Sequence, residues 1–145
     1  MYSIPEIEIK YKGTDIEKTK IQSSKDAEIC LRQMYNSDTL EYLESSIVIF
    51  LNRANKTIGW FKLSQGGISG TIMDVRVVFA VALKCGASGI IISHNHPSGR
   101  LIPSDEDRRM TSKIKEAGKI LDITLLDHII ITEEGYYSFA DNGNL

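Results

Sequence analysis

The stretch SGIIISHNHPSGRLIPSDEDRRM, Ser88 to Met110, decides how the rest of the chain is read. Its first six residues, SGIIIS, centre on three consecutive isoleucines, Ile90 to Ile92, the pattern of a strand buried on both faces. The strand runs straight into His94-Asn95-His96. Pro97 and Gly99 then turn the chain, and Pro103 precedes a long polar helix expected from about Ser104 to Gly118. Side chains two apart on an extended strand share a face, so a bend at Pro97 lets His94 and His96 converge on one ion. On the helix, Met110, Ile114, Ala117 and Leu121 form one apolar stripe. Asp107 lies three residues before Met110 and falls on that inward side, with Ser104 close to it. Asp105, Glu106, Arg108 and Arg109 mostly fill the outer side. An inward carboxylate needs a partner, because burying an unpaired charge is costly. Ser104-x-x-Asp107 also has the form of a helix capping box. Either feature alone has a plain structural explanation; their conjunction with the two histidines points to a metal site.

Two histidines and one carboxylate leave a fourth coordination position open, the arrangement of a catalytic zinc. Such an ion brings the pKa of a bound water toward neutrality and polarises a carbonyl. A carboxylate general base must then come from elsewhere in the chain. Glu44, at the entry to the strand expected over 46–52, is the choice and Glu41 its nearest competitor, although a glutamate before a strand is usually just solvated. Ligand type alone also admits iron, nickel or manganese.

Working outward, residues 46–52 and 57–63 read as strands joined by a hairpin loop at Asn52 to Lys56. Ser64 to Gly67 reads as a loop that either borders the cleft or simply turns. Residues 75–83 are apolar nearly all round, and helix is chosen over strand because Asp74 suits an N-cap and Gly86 a C′ position; such a helix should be sandwiched. A further helix is expected from the Ser23-Ser24 cap to about Tyr35. Residues 3–11 alternate as a weak edge strand, which either closes this sheet or pairs with another chain. Residues 121–132 should give one or two strands, and Tyr136 to Phe139 a last short one. This mixed order is α/β or α+β around a central sheet.

The bulk properties agree. The chain has 145 residues, 42% hydrophobic and 25% charged, which suits one ordinary globular domain over 1–145. Apolar runs such as Ile47 to Leu51 are far too short to span a membrane. The net charge of −2 disfavours a dedicated nucleic-acid binder. Cys30 and Cys85 form neither a disulfide framework nor a C-x-x-C motif. With no secretory signature at the N-terminus, a reducing, cytoplasmic setting is expected.

The spacing H-x-H, seven residues, Ser, two residues, Asp is met by His94, His96, Ser104 and Asp107. It resembles the JAMM motif of JAB/MPN-domain metallopeptidases. HNHPSG with PS-x-x-D and LLDHIII, together with ESSIVIFLN at 44–52 and SQGGISGT at 64–71, is more closely similar to the RadC family. The resemblance covers about residues 21–145. It implies a three-layer α/β/α, cytidine-deaminase-like fold with a central mixed sheet. It implies one zinc per chain, held by His94, His96 and Asp107, with Glu44 activating the water and Ser104 stabilising the oxyanion. The implied activity is peptide or isopeptide hydrolysis on an unknown protein or peptide. Full-length RadC proteins usually carry an N-terminal helix-hairpin-helix-like region, for which this chain leaves no room, so residues 1–20 are expected to be only a strand extension. Two other functions compete: a repair or recombination accessory, with a nuclease as one form of it, and a catalytically silent binding module. Asp127-His128 also matches the family; His128 reads as a hydrogen-bonded core histidine, with a partner of the metal site as the alternative. Arg108, Arg109, Lys113, Lys115 and Lys119 read as a solvated helix face.

Overall fold

The computed structural model describes residues 3–14, 16–65 and 73–145. In chain order the elements are α1 (Ser24–Met34), β1 (Ser45–Leu51), β2 (Thr57–Gln65), α2 (Val75–Lys84), β3 (Gly89–Asn95), α3 (Asp105–Leu121), β4 (Thr124–Ile131) and β5 (Tyr136–Ser138). The five strands form one mixed sheet in the order β2-β1-β3-β4-β5. β3 pairs antiparallel with β1 and parallel with β4. The parallel pair requires a crossover, and α3 supplies it.

The helices start where side chains satisfy their free N–H groups. The Ser23 hydroxyl caps α1 through the Asp26 amide, and the Asp74 carboxylate caps α2 through the Arg76 amide. Alternate residues of the central strands point to opposite faces, each covered by helix. Val48, Phe50, Ile90 and Ile92 pack under α2 and α3 with Val78, Phe79 and Ile114. Ile47, Ile49, Ile91 and Ile129 pack under α1 with Ala27, Leu31 and Tyr35. The result is the expected three-layer α/β/α arrangement. α1 is also tied to the β4–β5 turn: the Arg32 guanidinium donates to the Thr132 and Gly135 carbonyls and pairs with buried Glu28 at 2.5 Å.

Four expectations are corrected. Residues 3–11 form no strand; Ile4 and Ile7 are each 88% exposed, and pairing with the β2 side begins only at the Lys20–Lys56 bridge. Alternation is not sufficient without a neighbouring edge to complete its hydrogen bonds. α2 is not sandwiched, because sheet and α3 cover one side and leave Leu83 57% exposed. α3 does not stop at Gly118. It runs to Leu121, and Asp122 ends it in the left-handed conformation. Gly118 is inside the helix because the returning chain crosses it: a Cβ there would stand 2.2 Å from the Ile123 carbonyl oxygen. Finally, Ser64 and Gln65 belong to β2, while Gly66 and Gly67 lie outside the described residues, as does most of SQGGISGT. Among the described residues, no helix is long and apolar enough to cross a membrane.

Candidate metal centre

His94 lies at the carboxyl end of β3, where the crossover to α3 opens, the usual place for a site in a sheet of this kind. Its ring faces the α3 side, as Ile90 and Ile92 do below it. His96 follows the strand end, and its ring returns to the same point, with the two Nε2 atoms 2.9 Å apart. The His96 Nδ1 lies 2.7 Å from the Arg100 carbonyl oxygen. A carbonyl can only accept, so Nδ1 carries the proton and Nε2 presents a lone pair when the ring is neutral.

Asp107 faces both rings. One carboxylate oxygen is 3.2 Å from the His94 Nε2 and the other 3.2 Å from the His96 Nε2. The capping box is also real: the Ser104 hydroxyl accepts from the Asp107 amide at 3.0 Å, and the Asp107 carboxylate accepts from the Ser104 amide at 2.8 Å. The two readings of Ser104-x-x-Asp107 are therefore one device, in which the cap orients the carboxylate that faces the histidines. A tetrahedral zinc with bonds of about 2.0–2.1 Å places its donors about 3.3 Å apart. The two Nε2 atoms are 2.9 Å apart and each lies 3.2 Å from its own oxygen of the Asp107 carboxylate, within a few tenths of that. The donor set therefore fits a zinc-sized ion.

The electrostatics suit a cation. Burial would raise the Asp107 pKa, but the hydrogen bonds from His94 and His96 outweigh it and hold the carboxyl far below its usual range. Burial would lower the His96 pKa, but Asp107 and the Arg100 carbonyl carry it above its ordinary value. The raised His96 and the lowered Asp107 favour a proton between that ring and the carboxylate, which a metal would displace.

Glu44 comes to the site from the other side. Its carboxylate and the two rings each offer an atom within 4.8 Å of the others. The residue that brings it there is Asn95, between the histidines, which points to the opposite side of β3. Its side-chain oxygen accepts from the Ser45 amide at 2.7 Å, and its amide nitrogen donates to the Leu40 and Leu43 carbonyls, each at 2.8 Å. All three bonds hold the segment that delivers Glu44. A cleft of about 700 Å³ opens over the cluster, lined by Glu44, Glu41, His96 and Ser104 among others. Glu41 shares the cleft but is exposed, whereas Glu44 is half-buried. Two carboxylates thus flank the histidine pair. Asp107 touches both rings and is already oriented by its cap, so it suits a ligand; Glu44 suits a base facing the open side.

Asn95 was not singled out as a site residue in the sequence; its position inside HNH was the available signal. Thr111 was also missed, although it lies one turn beyond Asp107. Its hydroxyl is 2.7 Å from the Asp107 carbonyl and 2.6 Å from the His128 Nδ1. His128 is buried, stacks on Phe139, and places its Nε2 2.8 Å from the His94 Nδ1. It is therefore both the core histidine and the neighbour of a candidate ligand. Burial, then His94, push its pKa well below the ordinary value. Asp127 points away, accepting from Ser138 and from the Ala140 amide. Arg108, Arg109, Lys113 and Lys119 lie on the exposed side of α3, as expected, with Lys115 half-buried.

A mixed sheet between helices, with a His-x-His and a helix-capping aspartate meeting at the end of its central strand, defines a JAB-type domain. The sequence matches the family described as RadC-like JAB domain over residues 21–144, and the chain belongs to it. Its relatives include a UPF0758 protein of Flavobacterium johnsoniae, 51% identical over 92% of this chain and 58% of that protein. A UPF0758 protein of Thermotoga maritima is 43% identical over 72% of this chain and 48% of its own length. A third, from Porphyromonas gingivalis, is 44% identical over 70% and 45% respectively. The chain thus spans about half the length of the curated relatives it matches.

Proposed function

We propose that this domain is a zinc-dependent hydrolase that cleaves a peptide or isopeptide bond. The supporting observation is the convergence of His94, His96 and Asp107 at 2.9 to 3.2 Å, beneath an open cleft that also holds Glu44 and Ser104. His94, His96 and Asp107 would hold one zinc ion, which supplies Lewis acidity and a water acidic enough to ionise near neutral pH. Glu44 takes the proton of the attacking water and returns it to the leaving amine. The Ser104 oxygen accepts the Asp107 amide, which leaves its O–H proton available to donate to the oxyanion that forms from the carbonyl. Arg100 fixes the His96 ring through its carbonyl, and Asn95 fixes the approach of Glu44. The substrate is a protein or peptide, and the setting cytoplasmic.

The test is metal content by elemental analysis of wild type and Asp107→Ala, purified without added metal or a histidine tag. About one zinc in the wild type and a clear loss in a folded variant is expected. Metal-free wild type that binds no zinc on titration would leave Asp107 as a helix cap only and remove the hydrolase reading. Glu44→Gln separates enzyme from binding module: it should retain zinc and abolish hydrolysis, whereas a binding module would be unaffected.

A further inference from the structure

The chain has three histidines, and all three meet in one cluster. Two of them are the candidate ligands; the third, His128, has no access to the cleft and no place in the chemistry above. Its surroundings nevertheless dictate where protons sit. The Thr111 oxygen has one proton and two neighbours, the Asp107 carbonyl at 2.7 Å and the His128 Nδ1 at 2.6 Å. The carbonyl can only accept, so the hydroxyl proton goes to it. The Thr111 oxygen must then accept from His128, which places the His128 proton on Nδ1. A neutral imidazole carries one N–H, so the His128 Nε2 is bare and accepts from the His94 Nδ1, 2.8 Å away. With its proton committed to that bond, neutral His94 has a bare Nε2, the atom that faces His96 and Asp107.

We propose that His128 and Thr111 are positioning residues that hold His94 in the tautomer with its proton on Nδ1 and its Nε2 lone pair presented to the metal. The proposal rests on the metal-centre reading above. The donors run in one direction, and the last acceptor is the backbone of Asp107 itself. Two ligands on different elements, His94 on β3 and Asp107 on α3, are thereby tied together through β4. The partner of a metal-bound histidine is commonly a carboxylate, a carbonyl or water. Here it is a second imidazole, buried and kept in place by stacking on Phe139 at 4.5 Å between centroids.

The experiment measures zinc affinity by competition with a chelator, using the full chain. Wild type is compared with Thr111→Val, Thr111→Ser, His128→Phe and His128→Gln. Thr111→Val keeps the shape and removes the acceptor, so the His128 proton is no longer directed to Nδ1. Losing such a partner costs about 10–100-fold in metal affinity, and a loss in that range is expected for both Thr111→Val and His128→Phe. Thr111→Ser should restore the affinity, and His128→Gln in large part, because its side-chain oxygen can accept from His94. A second readout is the long-range proton–nitrogen spectrum of histidine-labelled, metal-free protein at pH 8. Wild type should show His94 and His128 each protonated on Nδ1, and Thr111→Val should show a mixture of His128 tautomers. If His128→Phe fails to fold, the Thr111 pair decides. Wild type that binds zinc while Thr111→Val binds equally well, or His128 protonated on Nε2 in the wild type, overturns the proposal and leaves the metal centre standing. Wild type that binds no zinc removes the metal centre, and this proposal with it.

Discussion

Asn95→Ala should be among the most damaging single changes near the site, although the Asn95 side chain bonds to the Glu44 segment and not to a candidate ligand. The substitution removes three hydrogen bonds: from the Ser45 amide, and to the Leu40 and Leu43 carbonyls. A typical intramolecular hydrogen bond contributes about 1 kcal/mol net, and a buried donor left unpaired costs about 1–3 kcal/mol. Ser45 is 7% exposed, so water cannot readily replace its acceptor, whereas the half-buried Leu43 end is partly accessible. The sum is about 2–4 kcal/mol. With a urea slope of about 2 kcal/mol/M, the unfolding midpoint should fall by about 1–2 M. Asn95→Asp should be no better than alanine: it keeps the acceptor for Ser45 but turns a carboxylate oxygen toward two carbonyls. The change is local as well as global, so amide exchange of Ser45 should accelerate beyond the global loss. Zinc binding should survive in the folded fraction, because the β3 ladder that carries His94 is untouched, while hydrolysis falls as Glu44 loses its anchor. A midpoint shift that corresponds to less than 0.5 kcal/mol, or unchanged protection at Ser45, would refute the view that Asn95 holds the Glu44 segment.

Three further outcomes are expected. Gly118→Ala should destabilise the domain by about 1–3 kcal/mol, measured by thermal or urea unfolding, because a methyl group would meet the Ile123 carbonyl oxygen and α3 or the returning chain must shift. Glu28→Gln tests the pH dependence. Burial would raise the Glu28 pKa, but Arg32 and Lys25 outweigh it and hold it below the ordinary value. A depressed carboxyl binds fewer protons in the folded state, so its contribution is full above the unfolded pKa of about 4.3 and is lost as pH falls through the folded value. The gap between wild type and Glu28→Gln, about 1–2 kcal/mol at pH 7, should therefore close on acidification; a gap that widens toward pH 3 would contradict the assignment. Ser104→Ala should cost about 1 kcal/mol as a lost helix cap. Ser104→Asp should keep the cap but has no proton to donate, and both variants should lose about 10²–10³ in turnover if the hydroxyl serves the oxyanion; full activity in Ser104→Asp would remove that role.

The strands and helices around the site were legible because their signals are local. Ile90 to Ile92 are apolar without interruption because β3 is covered on both faces, and Asp74, Ser23 and Ser104 mark helix starts because their side chains satisfy nearby amides. The errors fell where a distant segment decides the outcome. Ile4 to Tyr11 has the alternation of a strand, but no free edge lies against it. Gly118 has the look of a helix terminus, but the glycine answers to Ile123 crossing over it. The all-apolar surface of α2 suggested cover on every side, and only the placement of α3 determines which side is covered.

The same division runs through the site. The spacing by itself set His94 with His96 and Ser104 with Asp107 on common faces, since two residues of extended chain and one turn of helix fix those side chains whatever the rest of the chain does, and it marked one strand end and one helix start as the parts to be brought together. Tertiary structure alone decided the rest. Glu44 is 50 residues before His94 in sequence, and it reaches the cluster because β1 lies beside β3, with Ser46 opposite His94, and because Asn95 anchors the preceding loop. His128 and Thr111 meet behind His94 because the crossover through α3 lays β4 parallel to β3 and turns both residues inward. Local geometry has a fixed period that a sequence carries openly, whereas contacts between elements depend on which faces pack together, and that is settled by the burial of the whole core.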